Sequence, residues 1–356
     1  MSLGQFTRRF ARHAPALRGA ILSASLALAF TACGKRGGTN AWSAPAEAAP
    51  AASANVVPAA PGSPVGPRVS RLAPQPATPS PPTAGLRFIA YNVENWLTMD
   101  RYTGQKLRKQ SPKPAAEKQA TVRILATNAP DVIGLCEIGT TTDLAEIQQT
   151  LKASGLDLPY AQYTGGSDPV RHLGLLSRWP LTLPEHPAAI EYTMHGRTFA
   201  INRGILDAAL QTHGKTYRFL GVHLKSKREI EEADQEEMRV QEARLLRRQV
   251  DAILQADPQA RLVVYGDFND TRPSPTFKII TRGYNDPGYL MAMPLKDSRG
   301  EAWTHYWAPH DIYSRFDFIA VTRALKPEID FRGSRLVDDL DWNDASDHRP
   351  LLAIFR

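Results

Sequence analysis

The sequence predicts an α/β fold for residues 86–356, and two observations support this prediction. An apolar strand over 86–91, a segment with helical spacing over 115–128 and a second apolar strand over 131–136 follow one another in that order. This alternation is typical of layered α/β proteins. In addition, polar residues repeatedly come directly after apolar strands, at the edge of a sheet where such proteins build their sites.

The chain begins with a segment, residues 1–33, that is typical of an export signal. Four arginines precede an apolar run over 20–30, no acid is present, and the run is too short to span a bilayer comfortably. Phe30-Thr31-Ala32-Cys33 resembles a bacterial lipobox, although Phe30 departs from the usual Leu, and Ala27-Leu28-Ala29 resembles an ordinary cleavage pattern. We favour the lipobox, which predicts a lipid on Cys33 and anchoring in the cell envelope, at the outer membrane. Cleavage after Ala29 predicts a secreted protein.

Residues 34–85 are rich in Pro and Ala and are predicted to be a disordered linker. The first 85 residues contain eight basic residues and one acid, which leaves 35 residues of each sign for 86–356. Because the predicted domain is neutral, the net charge of +7 gives no argument for nucleic-acid binding by that domain. The two cysteines, Cys33 and Cys136, exclude a disulfide framework and cysteine-clustered zinc or iron–sulfur sites, and Cys136 is interpreted as a core residue.

Further elements follow in the second half of the predicted domain. A short strand is expected at 173–176, and two strands at 204–210 and 217–224 flank the hairpin signature His213-Gly214-Lys215. A long helix is predicted over 229–254, with an apolar stripe that includes Met238 and Val250. Strands at 261–265, 316–321 and 350–355 complete a strand-rich half.

The polar residues at the strand ends each have an ordinary structural interpretation, as turn residues, surface acids or packed histidines. Together they supply carboxylates, histidines and amides in the combination that a hard divalent cation and a phosphate ester require. The strand-end residues are Asn92, Glu94, Glu137, His223, Asp267 and Asn269, and Asp347 and His348 lie near the C-terminus.

Seven segments resemble, in order, the signatures of the endonuclease/exonuclease/phosphatase superfamily, the DNase I-like fold. They are Tyr91-Asn92-Val93-Glu94-Asn95, Gly134-Leu135-Cys136-Glu137, Leu176-Ser177-Arg178-Trp179-Pro180, His223-Leu224-Lys225-Ser226, Gly266-Asp267-Phe268-Asn269, Arg315-Phe316-Asp317-Phe318 and Ser346-Asp347-His348. The resemblance covers essentially all of residues 86–356. It implies a four-layered α/β sandwich, in which two packed mixed sheets are flanked by helices, and an exported bacterial member of the superfamily.

The resemblance also implies a role for each site residue, in a phosphoester hydrolase that uses Mg²⁺ or Mn²⁺. Glu137 would be the principal metal ligand, with Glu94, Asp347 and Asn92 near the metal or the phosphate. Asp267 would activate the attacking water and Asn269 would help to place it. His348, oriented by Asp317, would contact the scissile phosphate, and His223 matches a second histidine of the nuclease-like members.

The motifs favour a phosphodiesterase of nuclease type with a nucleic-acid substrate. A phosphatase or a lipid-headgroup phosphodiesterase, acting on inositol phosphates or sphingomyelin-like substrates, is the alternative, and a catalytically inactive binding module is a third class. The basic segment 101–114 is interpreted either as a loop that grips phosphates or as a solvated loop. Five further residues are expected to line the cleft: Arg171, His172, Trp303, His305 and His310.

Overall fold

The computed structural model of the protein describes residues 85–103, 106–185, 188–231 and 233–356. The predicted signal peptide at 1–33 and all but the last residue of the predicted linker lie outside these residues. Both therefore stay predictions. Within the described residues, we find no helix long and apolar enough to cross a membrane.

The described chain alternates strands and helices. The strands, in chain order, are β1 Leu86–Trp96, β2 Met99–Thr103, β3 Lys106–Ser111, β4 Val132–Ile138, β5 Tyr160–Thr164, β6 His172–Ser177, β7 Leu181–Thr182, β8 Glu191–Met194, β9 Arg197–Ala200, β10 Ile205–Thr212, β11 Lys215–His223, β12 Arg261–Asp267, β13 Leu290–Ala292, β14 His305–Trp307, β15 Ile312–Ser314, β16 Asp317–Thr322, β17 Arg335–Leu336 and β18 Leu351–Phe355. The α-helices are α1 Ala115–Asn128, α2 Thr141–Ala153, α3 Gln235–Ala256, α4 Pro275–Thr281 and α5 Trp342–Ala345.

Two mixed sheets of six strands each organise the fold. The strand order is β17-β18-β1-β4-β6-β5 in the first sheet and β13-β16-β12-β11-β10-β7 in the second. Each sheet contains one parallel pair, β1 with β4 and β11 with β12, and the other neighbours are antiparallel. A parallel pair needs a crossover connection, and here α1 and α3 supply these connections.

Apolar side chains define four layers. Phe88 of the first sheet and Phe219 and Tyr265 of the second pack together in the core between the sheets. Glycines at 134 and 221 leave room for the ring of Tyr265. A second cluster joins the outer face of the first sheet to α1 and α2, and a third joins the outer face of the second sheet to α3 and α4. The predicted four-layered α/β sandwich is therefore confirmed.

Several predicted elements have the expected bounds, and others differ. Helix α1 spans the predicted residues 115–128, and the predicted hairpin turns at His213 and Gly214, where the left-handed φ angles of 51° and 72° fit a two-residue turn. Helix α3 begins at residue 235 and not at 229, because the Asp234 carboxylate accepts the Glu237 N–H and caps it there. The basic segment predicted as a loop forms the antiparallel pair β2–β3.

Candidate active site

Three predicted site residues lie side by side at one edge of the second sheet. His223 at the end of β11 is the register partner of Asp267 on β12, and Asp267 is the register partner of Asp317 on β16. Because β16 runs antiparallel to β12, its first residue lies beside the last residue of β12. All three side chains are buried.

The matching edge of the first sheet is irregular. Asn92 pairs with Cys136, which is buried as expected, and β1 and β4 then lose their regular register. Glu94, Asn95 and Glu137 adopt left-handed φ angles of 47°, 58° and 67° there. Such conformations cost energy for residues with a Cβ, and they persist where surrounding contacts hold them. The Glu137 carboxylate provides such contacts, since it accepts hydrogen bonds from the Asn95 N–H (2.9 Å) and from the Asn92 side-chain amide (3.3 Å).

Asn92 joins the two sheets at the centre of the site. Its Nδ2 lies 3.2 Å from Asp267 Oδ2 and 3.4 Å from His348 Nε2, in addition to its contact with Glu137. Its Oδ1 accepts the Glu94 N–H at 3.1 Å, which fixes the orientation of the amide. The amide holds the Glu137 and Asp267 carboxylates together without adding charge.

His348 forms a buried pair with Asp317. Its Nδ1 lies 2.7 Å from Asp317 Oδ2, and its Nε2 lies 3.7 Å from Asp267 Oδ2. Burial by itself would lower the pKa of His348, but the carboxylates of Asp317, Asp347 and Asp267 raise this pKa well above its ordinary value. The imidazole is therefore cationic at neutral pH, and its Nε2–H faces the cleft residues as a charged donor.

His223 has the opposite protonation state. Its Nε2 lies 3.6 Å from Asp267 Oδ2 and 4.0 Å from Glu137 Oε1, and its Nδ1 has no hydrogen-bond partner among the residues that the structure describes. Burial and the positive charges of Arg203 and His348 lower the pKa of His223 well below its ordinary value. Asp267 thus lies between a neutral and a cationic histidine.

Asp267 is buried between these histidines and is held by the turn that follows it. Burial and the neighbouring Asp317 raise the pKa of Asp267 to about 6, although His348 opposes the shift. The Asn269 N–H donates to Asp267 Oδ1 at 2.8 Å, and Asn269 Nδ2 donates to the Leu224 carbonyl at 2.9 Å. Asp267 is therefore ionised at neutral pH and can accept a proton.

Glu94 and Asp347 form an acidic pair beside this centre. Glu94 Oε2 accepts the Asp347 N–H at 3.1 Å, and burial together with the Asp347 charge raises the pKa of Glu94 to about 7. The Asp347 side chain is 40% exposed, and its Oδ2 lies 3.7 Å from His305 Nε2. Desolvation by itself would raise the pKa of Asp347, but the contacts with His305 and His348 lower this pKa below its ordinary value.

The donor chemistry of this site fits a hard divalent cation. The carboxylates of Glu137 and Asp347 line the cleft, and Glu94 lies beside Asp347. The repulsion between the like charges of Glu94 and Asp347 is relieved when a cation neutralises them. Among the described residues, two sets of three ligand atoms lie within 4.8 Å of one another: His305, Asp347 and His348, and Asp267, Asp317 and His348. Glu137 and Glu94 belong to neither set, so the three predicted metal ligands do not form one such set.

The site opens into a cleft of about 460 Å³. Asn92, Glu94 and Asp317 are not among the residues that line it. Its lining consists of Glu137, Arg171, Arg203, His223, Lys225, Ser226, Arg228, Glu229, Ile230, Asp267, Asn269, His305, Asp347 and His348.

Some of the residues expected at the cleft are elsewhere. Arg171 and His305 line it as predicted. His172 bonds to the Gly139 carbonyl at 2.6 Å, Trp303 packs against Arg349, and His310 packs against Trp307, so the prediction is wrong for these three.

Two side chains of the basic segment support the irregular end of β1. Arg101 Nη2 donates to the carbonyls of Asn95 (2.6 Å) and Leu97 (3.0 Å), and Lys113 Nζ donates to the Glu94 carbonyl at 3.1 Å and pairs with Glu117. Lys113 is buried, and both side chains therefore support the backbone of the site. The interpretation of the segment as a phosphate-binding loop stays a prediction for its other basic residues.

The model of the endonuclease/exonuclease/phosphatase family matches residues 81–286, more than half of the chain. None of the curated proteins matches the chain.

Solved structures share the fold at low sequence identity. A truncated Caenorhabditis elegans TDP2 aligns with a TM-score of 0.53 at 15% identity, over 76% of this chain and 98% of that chain. The human Nocturnin catalytic domain aligns with a TM-score of 0.52 at 16% identity, over 76% of this chain and 94% of that chain. An endonuclease/exonuclease/phosphatase family protein from Leptotrichia buccalis aligns with a TM-score of 0.52 at 15% identity, over 76% of this chain and 99% of that chain.

Proposed function

Because this chain belongs to the endonuclease/exonuclease/phosphatase family, whose members are metal-dependent phosphoester hydrolases, we propose that it is a phosphodiesterase of nuclease type. One observation carries this proposal. Two buried histidines, of which His223 is neutral and His348 is cationic, both lie within 3.7 Å of Asp267 Oδ2. Titratable groups whose environments separate their pKa values are typical of acid–base sites.

Each group has a distinct task in attack on a phosphodiester. Ionised Asp267 accepts a proton from the attacking water, and Asn269, fixed by the Leu224 carbonyl, helps to hold that water. Cationic His348 donates its Nε2–H to a phosphate oxygen, where negative charge develops. Asp317 fixes the His348 ring through Nδ1, and neutral His223 adds a hydrogen-bonding group without a further charge.

A divalent cation, Mg²⁺ or Mn²⁺, would be held by Glu137 with Glu94 and Asp347. When bound, it supplies positive charge that neutralises the phosphate oxygens. Asn92 donates to the Glu137 and Asp267 carboxylates and so holds both side chains in place.

A panel of substrates tests the proposed activity. The purified protein is assayed with Mg²⁺ or Mn²⁺ on plasmid DNA, RNA, bis-nitrophenyl phosphate, a nitrophenyl monoester and sphingomyelin. We expect metal-dependent cleavage of nucleic acid that is lost with EDTA and in Glu137→Gln, but kept in Glu191→Gln, which changes an exposed residue of β8.

Other outcomes of the panel would replace the proposal. Turnover confined to the monoester or to sphingomyelin would make the protein a phosphatase or a lipid-headgroup phosphodiesterase. Absence of turnover on every substrate would make the domain a binding module.

We also propose that the protein is exported and held at the cell envelope through a lipid on Cys33. The sequence pattern of residues 1–33 supports this proposal. A linker of the length of 34–85 would let the domain reach substrates away from the membrane surface.

A further inference from the structure

One part of the cleft is basic and is not used by the mechanism above. Arg203, Lys225 and Arg228 line it together with Ser226. Arg228 is exposed at the rim, whereas Arg203 and Lys225 are only 6% and 5% exposed. Two buried cations in one cleft are unusual, because buried charges are normally paired.

The Arg203 guanidinium is incompletely paired. Its Nε lies 3.3 Å from Asp168 Oδ2, but neither Nε nor Nη1 has a hydrogen-bond partner within the part of the chain that the structure describes. A buried donor without a partner costs free energy, and the guanidinium lines the cleft, where an anion would balance its positive charge.

The Lys225 ammonium also lacks a partner within the described part of the chain. Among the described residues, we find no hydrogen bond or ion pair to its Nζ, although burial and nearby positive charges, Arg203 first among them, lower its pKa. The Leu224 N–H donates to the Asp267 carbonyl at 2.9 Å, which continues the pairing of β11 with β12. His223 and Lys225, two residues apart, both line the cleft, and two residues of an extended chain span about 7 Å.

Helix α3 holds both cationic residues in place. The Glu242 carboxylate, fully buried, accepts the Asn202 N–H at 3.0 Å and the Lys225 N–H at 2.6 Å. Arg239 also donates to the Lys225 carbonyl at 3.0 Å. The Glu242 carboxylate forms no hydrogen bond with either cationic group, although its charge interacts with both. The two segments are thus fixed before any ligand arrives.

We propose that Arg203 and Lys225 form a second phosphate subsite, which binds a phosphate of the substrate next to the one that is hydrolysed. Ser226 and Arg228 form its outer edge. This inference rests on the proposed function and narrows its substrate class to phosphoesters that carry a neighbouring phosphate. A choline headgroup, which places a positive charge beside its single phosphate, is repelled by this subsite.

Matched dinucleotides test the subsite kinetically. Thymidylyl-thymidine has one phosphodiester, and versions with a 5′- or a 3′-terminal phosphate add the second phosphate on either side. We expect kcat/KM to be at least about tenfold higher for one phosphorylated form, equivalent to about 1.4 kcal/mol. In Lys225→Met this ratio should fall toward one, and Lys225→Arg should restore part of it.

Lys227→Met is the control, because it removes the same charge from the same loop. The Lys227 Nζ lies 3.3 Å from Asp270 Oδ1, and Lys227 does not line the cleft. The ratio should therefore be kept in this variant. A wild-type ratio near one, or a ratio that Lys225→Met leaves unchanged, would overturn the subsite.

The same comparison with inositol monophosphate and bisphosphate distinguishes a nucleic-acid strand from a polyphosphorylated small molecule.

Calorimetry in the Asp267→Asn background gives a readout independent of turnover. We expect thymidine 3′,5′-bisphosphate to bind at least about tenfold more tightly than thymidine 5′-monophosphate, and Lys225→Met to remove this difference. Equal affinities would contradict the subsite even if phosphodiesters are hydrolysed. This binding preference, together with no hydrolysis of any substrate by the wild-type protein, would support the subsite and contradict the proposed function.

Discussion

Replacing Asp317 with Asn removes the ionised partner of His348 while keeping the shape of the side chain. The two side chains are 6% and 7% exposed, and Oδ2 and Nδ1 are 2.7 Å apart. A hydrogen bond of this charged and buried kind contributes about 1.5–3 kcal/mol. Since each 1.36 kcal/mol of barrier is a factor of ten, we expect kcat/KM on bis-nitrophenyl phosphate to fall about 10- to 100-fold.

The same variant should lower the pKa of His348, because Asp317 is the first of the groups that raise it. An NMR titration of the histidine ring measures this change. If Asp317 acts through His348, the double variant Asp317→Asn/His348→Ala should be no slower than His348→Ala alone. Asp344→Asn, at an exposed position of α5, is the control. Wild-type activity in Asp317→Asn, or fully additive losses in the double variant, would refute the proposed coupling.

Three further predictions concern the base, the buried support of the cleft and the N-terminus. Asp267 must be ionised to act as a base, and its pKa is about 6, so kcat/KM should fall about tenfold per pH unit below pH 6. Asp267→Asn should abolish turnover without unfolding the protein. A kcat/KM that stays constant down to pH 5 would contradict the assignment of Asp267 as the base. Glu242→Gln leaves one of two buried backbone N–H groups without an acceptor, so the free energy of unfolding, measured by urea denaturation, should fall by about 1–3 kcal/mol. The exposed Glu236→Gln is the control and should change this free energy little. Equal stability of the two variants would contradict the observed hydrogen bonds of Glu242. Cys33→Ser should move the protein from the membrane fraction to the soluble fraction of cells, and an unchanged distribution would reject lipidation.

Local sequence signals were sufficient to predict secondary structure where neighbouring residues in the chain determine the backbone conformation. Helix α1 lies between Pro114 and Pro130, which limit a helix on both sides, and the His213-Gly214 pair tolerates the positive φ angles of a tight turn. The pattern of apolar strands followed by polar residues also predicted that the site residues lie together at the ends of the strands, and in the structure they do. Helix α2 was not predicted, although Thr140 and Asp143 form its capping box.

Features that depend on distant residues could not be predicted from the sequence. The left-handed conformation of Glu137 accompanies hydrogen bonds from Asn92 and Asn95, which are more than 40 positions away. The burial of Arg203 depends on packing against segments far along the chain, including the helix that carries Glu242. The only sequence signal for Arg203 is its position directly before an apolar strand, which many surface residues share.

Hydrolysis of bis-nitrophenyl phosphate by the purified protein, followed while Mn²⁺ or Mg²⁺ is titrated and then chelated, tests the assignment of a metal-dependent phosphodiesterase site most directly. We expect turnover that rises to saturation with the metal, disappears with EDTA, returns when metal is added back and is absent in Glu137→Gln. Turnover that is insensitive to EDTA, or equal in Glu137→Gln and the wild-type protein, would contradict the assignment of this cleft as the catalytic centre.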